Sequence, residues 1–84
     1  MNIEEVREGA AFQVQSSRDG ETWINRQPHP DGIAAMVHGG DHWFNDHHTA
    51  WVAANELRNA LTWSEVRLVV RDRRGNIAGS VPVV

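Results

Sequence analysis

Cysteine, lysine and tyrosine are all absent from this 84-residue chain. Without cysteine there is no disulfide, no thiolate metal site and no cysteine nucleophile. A small cysteine-free chain fits a reducing cytoplasm, which is the expected location. No apolar run approaches the ~18 residues of a membrane span. The start, Met1-Asn2-Ile3-Glu4-Glu5, is acidic and reads as no secretory signal. There is no Gly-rich phosphate loop, and Ser16, Ser17, Ser64 and Ser80 sit in no nucleophile elbow. One domain over 1–84 has little volume for a dry catalytic pocket, so no enzyme activity is expected.

The missing lysine makes every one of the eight cations an arginine, a planar fork suited to carboxylate, phosphate or aromatic faces. The charge is uneven. Residues 1–65 carry ten acidic side chains and four arginines, a sum of −6; residues 66–84 carry four arginines and Asp72, a sum of +3. An acidic body with a basic C-terminal end argues against a general nucleic-acid coat and permits a local basic patch.

Residues 1–10 read as a frayed leader, with Gly9 ending any helical turn. Ala11–Ser17 alternates as a strand, with Phe12 and Val14 on one face and Gln13 and Gln15 on the other. A three-residue Arg18-Asp19-Gly20 loop would pair Val14 with Ile24 of a second strand. Gln27–Gly32, with Pro28 and Pro30, is a turn. Ile33–His38 is a third strand, and His42-Trp43-Phe44 a short fourth one forming a hairpin with it. Asp46 is the N-cap of a helix. Ala50, Ala53, Ala54, Leu57, Ala60 and Leu61 follow helical spacing, and three alanines on the inner face require close approach to a sheet. Val66–Asp72 and Ile77–Val83 are strands joined at Arg73-Arg74-Gly75. Simple alternation puts Val66, Leu68 and Val70 on one face. Arg67, Val69, Arg71, Ile77, Gly79 and Val81 fall on the other. The expected fold is α+β: an antiparallel sheet of four to six strands with one helix across one face.

The stretch from Trp43 to Gly79, "WF…A…A…L…W…VRLVVRDRRGNI", resembles the ββαββ layout of many small uncharacterised bacterial and phage-encoded proteins. Some proteins of that build are inhibitors, anti-CRISPR proteins among them. The resemblance implies an inhibitor acting by surface contact, and it brings no catalytic residue.

Three constellations are candidates for function. Arg67, Val69, Arg71, Arg73, Arg74, Ile77 and Val81 form a mixed face suited to a protein contact, with an apolar centre and orienting charges. On this reading both Arg67 and Arg71 are exposed, and homodimerisation through the face is one specific version. Trp23 and Trp43 are the alternative contact residues: Trp23 on the face of Gln13 and Gln15, and Trp43 beside Phe44, with one of those two rings inward and the other outward. Trp51 and Trp63 close the two ends of the core. His38, His42, His47 and His48 fall within eleven residues. His38, His42 and His47 are the candidate ligands for Zn²⁺ or Ni²⁺, but the spacing matches no metal signature. Neighbouring His47 and His48 point about 100° apart on a helix. The expected function is therefore a non-catalytic protein-interaction module that needs no cofactor or metal. The rivals are a His-dependent metal-binding protein and a small nucleic-acid binder using the arginine-rich hairpin.

Overall fold

The computed structural model describes residues 3–29, 32–38, 40–61 and 64–84; for residues 3, 4, 29 and 32–38 it describes the backbone alone. Helix α1 (Ile3–Glu8) leads into β1 (Ala11–Ser17), β2 (Ile24–His29) and β3 (Gly32–His38). Helix α2 (His47–Ala60) precedes β4 (Glu65–Arg71) and β5 (Ile77–Val83). The strands form one antiparallel sheet in the order β3-β2-β1-β4-β5. Helix α2 lies across one face, against β1, β3, β4 and β5. The expected α+β architecture is the one observed.

Local chemistry explains α2. The Asp46 carboxylate accepts bonds from the Thr49 amide (2.9 Å) and the Thr49 hydroxyl (2.8 Å), satisfying one free donor of the first turn. Those two bonds hold its pKa below the ordinary carboxylate value. Ala50, Ala53 and Ala54 are fully buried and Leu57 nearly so. With only methyl groups at three of the four contact positions, the helix axis lies close to the sheet. Ala60, expected inside, is exposed, and Leu61 is the half-buried C-cap. The core joins these residues to Phe12, Val14, Phe44, Val66, Leu68, Val70 and Val83. Val6 also belongs to it at 1% exposure, so α1 is pinned to the core.

Three expectations about pairing are corrected. Ser16, not Val14, faces Ile24, and Val14 faces Arg26. The β1–β2 loop is longer than three residues because Asp19 organises it. Its carboxylate accepts bonds from the amides of Glu21 and Thr22 and from the Ser17 hydroxyl, while Ser17 Oγ accepts from the Gly20 amide. The shift is two residues, so Ile24 keeps the face of Phe12 and Val14. Second, β3 pairs with β2 rather than with His42–Phe44. Strand β2 continues through Pro28 with a register shift between Gln27 and His29, the irregular position at which a sheet tolerates proline. Phe44 instead bridges to Phe12 through two backbone bonds of 2.8 and 2.7 Å, next to where the β1–β2 pairing ends.

The third correction changes a face. The turn is as expected, with Asp72 bonded to Asn76 and Arg71 opposite Ile77. Then Val70 faces Gly79, which leaves Ala78 as the extra residue of a bulge. From Gly79 onward β5 is displaced by one. Val81 and Val83 therefore join Leu68 and Val66 on the helix side, and Ser80 and Pro82 turn outward beside Val69 and Arg67.

Candidate interaction surface

The sheet face away from α2 is built by parity. Glu65, Arg67, Val69 and Arg71 of β4 share it with Ala11, Gln13 and Gln15 of β1 and with Asn25 of β2. Arg67 is held two ways, by Gln15, itself anchored on Asn25, and by Trp23. Its Nε donates to Gln15 Oε1 at 2.8 Å, Gln15 Nε2 donates to Asn25 Oδ1 at 2.8 Å, and the guanidinium lies 4.0 Å from the Trp23 ring centroid. Burial lowers the Arg67 pKa from its ordinary value, which still leaves it charged. Four residues along, the Arg71 guanidinium lies 4.3 Å from the Trp43 ring centroid. Trp43 is oriented by Asp41, which accepts its Nε1–H at 3.1 Å and a longer bond of 3.4 Å from Gln13 Nε2. Two arginine–tryptophan stacks thus stand at either end of a floor made by Val69 and Gln13, which are 7% and 4% exposed.

This arrangement revises the expected site. Arg67 and Arg71 are half-buried, not exposed, because the indoles lean on them. Val69 is covered within the chain, and Val81 belongs to the opposite face. Of the three aliphatics expected to lie wet together, only Ile77 does so, at 60% exposure. Arg73 and Arg74 are exposed at the turn, where the Arg74 amide donates to Asp72. Trp23 stands on the Gln13–Gln15 face as expected, and Trp43 points outward while Phe44 points in.

The C-terminal hairpin itself holds no aromatic residue on which its arginines could stack. The partners come from a loop and a crossover segment. Their signal was the parity that set Gln13 and Gln15, with Trp23 beside them, on the arginine side. Gln15, Asn25 and Asp41, which position the stacks, were not singled out. Among the described residues no carboxylate forms an ion pair with Arg67 or Arg71, so both cations keep their charge for another molecule.

The histidines divide. His42 meets Phe44 edge-on at 4.5 Å between ring centroids, and His47 meets Phe12 edge-on at 6.3 Å. Each ring thus packs against an aromatic of the core. Among the described residues no three of His, Asp and Glu converge in metal-ligand geometry. The side chain of His38 and all of Trp63 lie outside the described residues. Trp51 packs half-buried against the core. Among the described residues no helix is long and apolar enough to cross a membrane.

Compared with known proteins, the chain matches no family model, no curated protein and no solved structure.

Proposed function

We propose that this protein is a non-catalytic interaction module that takes an acidic protein partner on its outer sheet face. The carrying observation is the pair of stacks, Arg67 on Trp23 and Arg71 on Trp43, with neither guanidinium ion-paired among the described residues. Aromatic and arginine side chains in a fixed arrangement are what interface hot spots are made of. A stacked guanidinium is already ordered, so less conformational freedom is lost on binding. Arg73 and Arg74 add exposed charge that steers an acidic partner toward the same end of the molecule. Acting by contact alone, such a module suits an inhibitor, the role that the layout resemblance implies.

Nucleic acid is disfavoured on two grounds. The −6 carried by residues 1–65 repels a phosphate backbone. Each of the two indoles also has one face occupied by a guanidinium, which halves its use as a stacking platform. The test is affinity capture from nuclease-treated lysate, followed by binding of the purified captured protein. Arg71→Glu is expected to weaken that complex at least tenfold while the variant stays folded, and Arg58→Glu on α2 leaves it intact. Equal binding by both variants would place the contact elsewhere. A partner recovered only without nuclease would make the ligand nucleic acid.

A further inference from the structure

We infer that the outer face reads spacing as well as charge: it clamps an extended acidic segment whose two carboxylates, four residues apart, meet Arg67 and Arg71 together. This rests on the reading of that face as the site for an acidic protein. Arg67 and Arg71 lie on one strand and one face, so their backbone positions are about 13 Å apart at the usual rise of a strand. An extended segment lying along β4 has the same rise. Its residues i, i+2 and i+4 face the sheet, and i and i+4 are again about 13 Å apart. A pair at i and i+2 spans only about half of that and reaches one arginine at a time.

Each guanidinium is held over an indole ring, and its terminal N–H groups are the donors for a two-pronged bond to a carboxylate. Arg67 spends its Nε on Gln15 and keeps its terminal nitrogens. Between the stacks the register positions are uncharged, with Val69 flanked by Gln13 on one side and Ser80 on the other. Glu65 lies on the same face, two residues beyond Arg67. A third acid past that end of the segment meets a like charge and is disfavoured. Asp41, the acid beside Trp43, is engaged by the indole N–H and by Gln13. The recognised pattern is therefore two acids separated by any three residues.

The experiment uses three labelled nine-residue peptides: two of identical composition with aspartates spaced i, i+4 or i, i+2, and one with asparagine in place of both. Anisotropy is followed at low salt with the full chain, beside a labelled oligothymidylate. The i, i+4 peptide is expected to bind at least tenfold more tightly than its isomer. Arg71→Gln should abolish that preference, and Trp43→Leu should weaken it several-fold while the charge is retained. The comparison of isomers on the unaltered protein needs no variant to fold. If the two isomers bind alike and both weaken with Arg71→Gln, the clamp is overturned while the acidic-partner reading stands. If only the oligothymidylate binds, or the preference survives Arg71→Gln, the clamp falls; in the first case the acidic-partner reading falls with it.

Discussion

Arg67 and Arg71 have the same residue type, strand and face, yet they do different amounts of structural work. Arg67 bridges β4 to β1 through Gln15 and supports Trp23, whereas Arg71 has its stack on Trp43. Arg67→Ala is therefore expected to cost about 1–2 kcal/mol and Arg71→Ala about 0.5–1 kcal/mol, read by urea denaturation. Equal losses would mean that the bond to Gln15 contributes nothing. Asp19 is the other residue with a legible energetic role. The amides of Thr22 and then Glu21, followed by the Ser17 hydroxyl, pull its pKa from 3.8 down to about 2. A depressed carboxyl contributes stability that is full above its unfolded value and fades as pH falls through the folded one. That contribution is present above about 3.8 and lost toward pH 2. The denaturation midpoint of Asp19→Asn should accordingly fall less steeply across that window than that of the unaltered protein.

At the scale of elements, the decisive device is the bulge at Ala78. It lets one strand satisfy two demands, closing the Asp72–Asn76 turn and then turning Val81 and Val83 under α2. Deleting Ala78 removes the bulge but leaves Val70 opposite Gly79 and Leu68 opposite Val81, so both valines stay under α2. The contribution of β5 to the core is tested by truncation instead: Val83, 3% exposed, should cost about 1–3 kcal/mol as Val83→Ala, read by thermal melt. A Val83→Ala variant that melts like the parent would show that β5 adds little to the core. Helix α2 offers the complementary test. Leu57 is its one large buried contact beside three alanines, and Leu57→Ala should cost about 2–5 kcal/mol. A loss under about 0.5 kcal/mol would contradict the docking of that helix.

For the molecule as a whole, charge and apolar exposure point the same way. The basic end is the hairpin of β4 and β5, and the acidic side chains are spread over the rest. The exposed large apolar side chains among the described residues are Val52, Ile77 and Val84, on three different elements or ends. They make no continuous patch on the outer face, where Val69 is already covered. Scattered single apolar residues are ordinary for a monomer. Sedimentation at micromolar concentration is expected to give a 9.4 kDa species with no dimer. A dimer dissociated by Arg71→Glu would instead make the acidic partner a second copy of this chain.

What the amino-acid order determined alone is local. The Asp46 cap, the apolar positions Ala50, Ala53, Ala54 and Leu57, the alternation of β1 and β4, and the turn closed at Asp72–Asn76 each depend on residues within a few positions of one another. So does the assignment of Gln13, Gln15, Arg67 and Arg71 to polar faces. Tertiary structure decided the rest, because the competing terms lie far apart in sequence. The Ser16–Ile24 register follows from side-chain bonds to Asp19 that outweigh the shortest turn. The inward face of Val81 and Val83 follows from the core that α2 offers them, and one bulge residue is enough to reverse the parity of a strand. The candidate site belongs to this second class. Its arginines were visible in the hairpin, but their tryptophans arrive from residues 23 and 43, brought over β4 by a loop and a crossover whose paths only the folded sheet defines.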